Sequence, residues 1–123
     1  MLALLPLLAL AGCAQPGCTA ATRAELLFGL STPTGTVTTQ AFDAFLDRSV
    51  TPRFPAGLTV LDGAGRWQSV GGRQTSEPSK LVLIVFPPGP GTGAALNAIR
   101  DEYKVQFQQQ SVGLVVSKAC ASF

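Results

Sequence analysis

One short run, residues 51–61, constrains the fold more than any other stretch, because its prolines and glycine allow few backbone paths. Pro52 disfavours helical geometry at the residue before it, so a helix that enters the run must end there. Pro52 and Pro55 fix φ and remove two N–H donors, while Gly57 permits a positive φ. The run therefore predicts a rigid corner between a helix and a strand.

The segments before this corner carry the patterns of one strand and one helix. Residues 24–30 alternate in the way a strand does, with Leu26, Phe28 and Leu30 on one face. Apolar residues at helical spacing predict a helix from Thr39: Phe42, Phe45, Leu46 and Val50. Thr38 or Thr39 is its expected N-cap.

After the corner, the sequence predicts a hairpin of two strands. The first strand bends or bulges at residues 62–65 and continues toward Gly-Gly at residues 71–72, which predicts a two-residue turn. Counting outward from that turn places Arg66 opposite Glu77, and opposite charges facing each other support this register. The return strand is apolar on both faces over residues 80–86.

The last third of the chain predicts a loop, a second helix and a final strand. Residues 87–93 form the loop and residues 112–118 the strand. Thr92 is the expected N-cap of a helix whose inward positions are Ala95, Leu96, Ile99, Tyr103 and Phe107. The whole order predicts an α+β fold: a ferredoxin-like βαββαβ sandwich with a four-stranded antiparallel sheet and two helices on one face.

The other face of such a sheet would lack helical cover. Residues 26–28 and 81–86 are nevertheless apolar on both sides, and strands of that kind are usually covered on both faces. We therefore expect a face-to-face homodimer. The alternative is that the hairpin that carries Trp67 folds back over the open face.

The N-terminal eleven residues are apolar and uncharged. A membrane-spanning helix takes about 20 such residues, so this run has the length of a signal-peptide apolar region instead. It ends in Leu10-Ala-Gly-Cys13, which resembles a bacterial lipobox and implies lipid attachment at Cys13 and cleavage before it. We predict a signal peptide at residues 1–12, a lipidated tether at 13–21 and one domain at 22–123. No basic residue precedes the run, which leaves open a start codon further upstream.

The three cysteines help to choose between lipidation and simple secretion. Cleavage after Ala9-Leu10-Ala11 would release a soluble protein with an odd number of cysteines in an oxidising compartment. Lipidation uses Cys13 and leaves Cys18 and Cys120 to form a disulfide. The predicted topology also places the start of the first strand beside the end of the last. We therefore favour a lipoprotein that a lipid on Cys13 anchors in the cell envelope, at the periplasmic face of a bacterial membrane.

Composition argues against several classes of function. Histidine is absent, which removes the commonest general base and the commonest metal ligand. Nine basic and seven acidic residues give a net charge of +2 without a basic cluster, so nucleic acid is not an expected partner. We expect no catalytic residue, no metal and no cofactor.

A few side chains are nonetheless suited to recognition. Trp67 and Arg66 on a projecting hairpin suit a glycan or a protein partner, although packing of Trp67 and pairing of Arg66 with Glu77 is the favoured interpretation. Arg53 could cap helix carbonyls, pair with Asp62 or Glu77, or hold an anionic ligand, and structural roles are favoured. The candidate binding residues are Arg53, Asp62, Arg66, Trp67, Glu77 and Tyr103.

The corner also carries a family resemblance. Thr51-Pro-Arg-Phe-Pro-Ala-Gly-Leu-Thr-Val-Leu-Asp-Gly63 resembles the signature of the DUF3574 family, bacterial proteins of unknown function. The resemblance covers residues 18–123 and implies an exported, often lipid-anchored protein without implying an activity. The Pro/Gly-rich loop at residues 87–93 departs from the pattern. Further matches are Leu27-Phe-Gly-Leu30, Phe45-Leu-Asp47, Gly65-Arg-Trp67, Glu77-Pro-Ser-Lys80, Tyr103 and Cys120-Ala-Ser-Phe123.

Three functions remain in order of preference. The first is a non-catalytic envelope lipoprotein that acts through protein or surface contacts. The second is a periplasmic module that binds a small molecule in a dimer cavity or near Arg53 and Trp67. An enzyme ranks last, because no nucleophile–base pair is evident.

Overall fold

Four antiparallel strands form one sheet, and two helices pack on one of its faces. The structure, a computed structural model, describes residues 17–123. The predicted signal peptide, Cys13 and the start of the predicted tether lie outside the described residues. The helices and strands are β1 Thr19–Gly29, β2 Ser31–Thr32, β3 Gly35–Thr36, α1 Thr39–Phe45, a π-helical turn Leu46–Val50, β4 Thr59–Gln68, β5 Gln74–Phe86, α2 Thr92–Gln106 and β6 Gly113–Ala121.

The strand order in the sheet is β4-β5-β1-β6, and β2 and β3 form a separate two-stranded ribbon. This order places the first and last long strands side by side, as in a ferredoxin-like α+β fold, so the predicted fold class is confirmed. β1 begins earlier than the sequence pattern suggested, and residues 19–21 of the predicted tether are part of it.

Alternation along β1 sends every second side chain into the core beneath the helices. Leu26 and Phe28 are fully buried on this face, as predicted. Phe28 lies 4.7 Å from the ring centre of Tyr103 and 5.4 Å from that of Phe42, both in edge-to-face contact. These rings join β1 to both helices.

α1 begins at the cap that the sequence predicted. The Thr38 hydroxyl accepts a 3.1 Å hydrogen bond from the Ala41 amide, which satisfies one free N–H of the first turn. The helix then widens into the π-helical turn, where the Thr51 amide donates to the Leu46 carbonyl at 2.9 Å. The sequence pattern did not indicate this widening.

The corner that follows has the predicted construction. Phe54 is buried and its ring lies 5.1 Å from that of Phe86, so it fills the core below the helix end. Gly57 has φ +131°, a conformation that a side chain would strain. The chain enters β4 two residues later.

The hairpin differs from the prediction by one residue. The Ser69 amide donates to the Arg73 carbonyl at 2.9 Å, and the Gly72 amide donates to the Ser69 carbonyl at 2.9 Å. Gly72 has φ +84°, so the loop has three residues with a left-handed glycine at its end, and not the two-residue Gly-Gly turn.

This shift changes every pair along the hairpin. Arg66 lies opposite Ser76, and Glu77 lies opposite Gly65, so the predicted pairing of Arg66 with Glu77 is wrong. A slip of one residue puts the two side chains on opposite faces of the sheet. The pairing runs without interruption along the whole of β4, so the predicted bulge at residues 62–65 is also absent.

α2 begins one residue differently from the prediction. Gly91, at φ +84°, occupies the N-cap position, and Thr92 is the first helical residue. The Thr92 hydroxyl donates to the Gly89 carbonyl at 3.1 Å instead of capping the helix. The predicted inward positions Leu96 and Ile99 are buried.

A disulfide joins Cys18 to Cys120, with their Cα atoms 5.3 Å apart. The register of β1 with β6, in which Ala20 lies opposite Cys120, brings the two residues together. Within residues 17–123, the helices are too short or too polar to cross a bilayer.

Candidate binding cleft on the open sheet face

The face of the sheet away from the helices is exposed and carries apolar side chains together with the Arg23–Glu25 ion pair. Leu27, Leu61, Trp67 and Val115 are each between 47% and 52% exposed there. The hairpin that carries Trp67 continues the plane of the sheet and does not fold back, so that alternative is wrong. We call this surface the open face.

In one part of the open face, glycines occupy strand positions whose side chains would otherwise point outward. A Cβ added to Gly29 would lie 2.7 Å from the Glu77 carboxylate, and one added to Gly113 would lie 3.0 Å from the Leu27 Cβ. Glycine inside a strand often marks a place where another group approaches the backbone closely. By register, four strand glycines share this face: Gly29, Gly63, Gly65 and Gly113.

Glu77 lies above this glycine floor. Its Oε2 accepts a 3.2 Å hydrogen bond from the Ser31 amide, and its side chain is half-buried. Gly65 opposite it on β4 offers no side chain, so the carboxylate is open toward solvent on that side. Among the described residues Glu77 forms no ion pair, which leaves a carboxylate whose charge is not neutralised locally.

The cleft around Glu77 has a volume of about 860 Å³. Trp67 on β4 lies at one side of the cleft, and Leu27 contributes an apolar side chain to its base. Gln109 closes the far side and is held in place, since its amide nitrogen donates to the Ser31 carbonyl at 2.7 Å. The cleft therefore combines an aromatic ring, apolar surface and one carboxylate.

Tyr103 supports the floor from below. Its ring is buried among the helices, and its hydroxyl donates a 2.7 Å hydrogen bond to the Gly29 carbonyl. Burial, together with the charge of Glu77, raises the pKa of the Tyr103 phenol well above its ordinary value. The phenol thus stays protonated and keeps its bond to the β1 backbone.

Arg53 lies at a different place, where the π-helical turn meets α2. One guanidinium nitrogen donates to the Ser49 carbonyl at 2.8 Å, and the other donates to a Glu102 oxygen at 2.7 Å. Ser49 is only 1% exposed, and its hydroxyl donates to the same carboxylate. Of the predicted roles, Arg53 takes the one of capping helix carbonyls. The predicted pairing with Asp62 or Glu77 is wrong, because packing of α2 beside the π-helical turn makes Glu102 the acidic partner.

This ion pair perturbs the carboxylate. Hydrogen bonds from Arg53 and Ser49 hold the pKa of Glu102 below its ordinary value, and partial burial opposes them. The side chains of Arg53 and Glu102 are 31% and 46% exposed, so water screens the pair.

The remaining candidates also lie away from the cleft centre. Asp62 pairs with Lys80 on the helical side of the sheet, where the Lys80 ammonium lies 5.9 Å from the centre of the Phe42 ring. Arg66 borders the cleft, but its register directs its side chain to that same helical side. The structure thus brings together Trp67 and Glu77, with Tyr103 beneath them.

Sequence reasoning missed the glycine floor and Gln109. Two of the floor glycines were interpreted as a bulge, because their common face becomes visible only after the strand register is known. Within residues 17–123, no three His, Cys, Asp or Glu side chains lie close enough together to hold a metal ion.

Comparison with known proteins gives a family and a fold. The family model described as "Protein of unknown function (DUF3574)" matches residues 23–123. No curated protein matches the chain. Two solved structures are similar. A phage SAM lyase in complex with S-methyl-5'-thioadenosine has 17% identity and a TM-score of 0.59, and the match covers 84% of this chain and 90% of that chain. A phage SAM lyase in the apo state has 16% identity and a TM-score of 0.58, and the match covers 98% of this chain and 97% of that chain. At this identity the likeness shows the fold alone.

Proposed function

Because the chain belongs to the DUF3574 family of proteins of unknown function, we propose a role from its own site. It is a lipid-anchored envelope protein whose open face binds a small organic cation with a flat ring. The observation that carries this proposal is the unpaired Glu77 carboxylate beside Trp67, above a floor of strand glycines.

The chemistry of the cleft favours a cation. A ligand cation over a tryptophan ring gains about 0.5–2 kcal/mol, and a half-buried carboxylate adds direct attraction. Above Gly65 the nearest atoms lie 3.8 Å or more from the position of a Cβ, so a flat ring can approach the backbone there, beside the Glu77 side chain that covers Gly29. An anion would meet Glu77 at close range and be repelled.

Envelope localisation is the second part of the proposal. It is supported by the lipobox-like sequence that ends at Cys13 and by the disulfide between Cys18 and Cys120. Disulfides persist in oxidising compartments, which for a bacterial protein means the envelope or the exterior. The lipid anchor on Cys13 is then the membrane contact of the chain.

A second copy of the chain is the proposed cover of the open face. Four strands about 4.8 Å apart and about 11 residues long, at 3.3 Å per residue, give a face of about 700 Å². A stable protein interface hides about 800 Å² per partner, so the size is suitable. The half-exposed Leu27, Leu61 and Val115 would be buried, and the glycine floor would become a cavity between the copies.

Binding rather than catalysis suits the described site. Glu77 has no second titratable group free beside it, since the Tyr103 hydroxyl is engaged with the Gly29 carbonyl. The similar phage SAM lyase holds S-methyl-5'-thioadenosine, a neutral molecule with a flat ring. This supports the idea that a fold of this shape accommodates a ligand of nucleoside size.

Fluorescence of Trp67, the only tryptophan in the chain, tests the ligand class. We expect benzyltrimethylammonium to change the emission at millimolar concentration and benzyl alcohol to change it much less. Glu77→Gln should weaken the response to the cation at least fivefold. Asp43→Asn, which removes an equal charge from an exposed position on α1, is the matched control and should leave it unchanged.

Two further observations complete the test. Equal responses to the cation and to benzyl alcohol, or equal effects of the two variants, would refute the role of Glu77. S-methyl-5'-thioadenosine is the second probe, followed by ligand-observed NMR, in which a chemical change in the probe would identify an enzyme instead. Light scattering on the domain reports whether the open face pairs two copies.

A further inference from the structure

We propose that the end of the sheet where the described chain begins is a membrane-docking surface that lies on the lipid bilayer. Four segments meet at this end: the start of β1, the corner before β4, the end of β5 with its loop, and the end of β6. We call it the uncharged pole, comprising residues 17–22, 54–59, 85–95 and 119–123. The inference rests on the proposed lipid anchor at Cys13.

No residue of these four segments carries a charged side chain. Arg53 directly precedes the corner segment and Arg23 lies opposite Val85, so these two residues and Lys118 border the pole. The other charged residues of the described chain lie further along the strands, on the helices or at the hairpin. Water-soluble proteins rarely leave a whole end without charge, and extended apolar surface of this kind marks an interaction site.

The pole also holds an apolar cleft of about 640 Å³. Leu58, Pro87 and Ala121 contribute to its walls, and Phe123 lies beside it with its ring fully exposed. Aromatic and aliphatic side chains at the edge of a domain insert readily into the headgroup region of a bilayer.

The short tether favours the membrane as the surface that contacts the pole. The disulfide fixes Cys18 to the pole, and Cys13 precedes it by only five residues. A chain extends by at most about 3.6 Å per residue, so the lipid can lie no further than about 18 Å from the pole. The hairpin that carries Trp67 is about 33 Å away along β4, since ten residues rise about 3.3 Å each. The anchor therefore presents the pole, and not the hairpin, to the bilayer.

The basic residues nearest to the pole fit the same orientation. Lys118 lies opposite Thr22, next to the last segment of the pole, and is exposed. Arg23 lies one residue further along β1 and pairs with Glu25. Basic side chains just behind an apolar surface are placed to contact lipid phosphates when that surface meets the headgroups.

Depth-dependent quenching tests the docking separately from lipidation in the cell. The chain from Cys13 onward, with its disulfide oxidised, is coupled at Cys13 to a maleimide-linked dipalmitoyl lipid and placed in vesicles that contain brominated phosphatidylglycerol. One sample carries Phe123→Trp together with Trp67→Phe, and the matched sample keeps Trp67 alone. We expect the introduced indole at the pole to be quenched at least threefold more strongly than Trp67.

Equal quenching of the two indoles, or quenching of Trp67 alone, would overturn the docking proposal. Light scattering on the same lipid-free chains distinguishes a second copy on the pole, because Phe123→Asp would then dissociate the dimer. Labelling with an alkyne fatty acid in the bacterium, compared between the native chain and Cys13→Ser, tests the anchor itself. Absence of the label would overturn the anchor and with it the docking, whereas label without preferential quenching would overturn the docking alone.

Discussion

Replacing Arg53 with alanine should destabilise the domain substantially, although Arg53 lies near the surface. The substitution removes the 2.8 Å bond to the Ser49 carbonyl, and hydrogen bonds that involve a charged group contribute about 1.5–3 kcal/mol. It also removes the ion pair with Glu102, which at this exposure contributes at most about 1 kcal/mol. Allowing for overlap between the two, we expect a loss of about 2–3 kcal/mol in the free energy of unfolding.

Chemical and thermal denaturation measure this loss. For a domain of this size 1 kcal/mol shifts the melting temperature by about 4 °C, so Arg53→Ala should melt about 8–12 °C lower. Arg53→Lys keeps the charge but not the two-pronged geometry, and should fall between the two proteins. Glu102→Gln separates the contribution of the ion pair from that of the carbonyl cap.

Arg66→Ala is the matched control, because Arg66 is exposed and forms no hydrogen bond or ion pair with the described residues. Its free energy of unfolding should change by less than about 0.5 kcal/mol. If Arg53→Ala behaves like this control, the capping interpretation is refuted and Arg53 becomes available as a ligand-binding residue.

Three further predictions concern pH, the disulfide and the glycine floor. The native pKa of Glu102 is lowered, so the stabilisation of the fold by this carboxylate is complete above the unfolded pKa near 4.5 and disappears as the pH falls through the native pKa. Urea titrations between pH 6 and 3 should therefore show a steeper loss in the free energy of unfolding for the native chain than for Glu102→Gln. Reducing the Cys18–Cys120 bond should cost up to about 4.7 kcal/mol in urea unfolding, because the closed loop spans about 100 residues. Gly29→Ala should displace the Glu77 carboxylate and weaken binding of benzyltrimethylammonium several-fold, with stability changed by less than about 1 kcal/mol.

Each of these three predictions has an outcome that would contradict it. Glu102→Gln with an unchanged pH slope would show that the carboxylate does not carry the acid sensitivity. Full stability after reduction would show that the strand pairing of β1 with β6 suffices alone. Gly113→Ala should behave unlike Gly29→Ala, because its Cβ would meet the Leu27 Cβ at 3.0 Å, which cannot swing away, and about 1–3 kcal/mol should be lost. Equal stability of the two alanine variants would contradict the proposed difference between the sites.

Local patterns predicted much of the fold. The proline corner, the alternation of β1 and the helical spacing around Phe42 each depend on near neighbours in the chain, and all three are present. The order of these elements was enough to place the ends that carry Cys18 and Cys120 side by side. The resemblance to the DUF3574 family is confirmed over residues 23–123.

The candidate site depended on register, which local patterns specified poorly. The outer halves of β4 and β5 carry few apolar side chains, Ala64, Trp67 and Pro78 among them, so burial does not distinguish one register from the next. The left-handed Gly72 sets the loop length at three residues, and this length sets the register of the two strands. In this register Glu77 lies on the open face with Trp67, whereas Arg66 lies on the helical face.

The sequence by itself thus determined the four long strands, the two helices and their order, together with the composition of the uncharged pole. The tertiary structure alone decided which side chains meet. Packing of α2 against the π-helical turn supplied Glu102 to Arg53, and antiparallel pairing gathered glycines from three strands onto one face. The physical reason is that secondary structure follows from spacing along the chain, whereas a binding cleft follows from distances between residues that the chain keeps far apart.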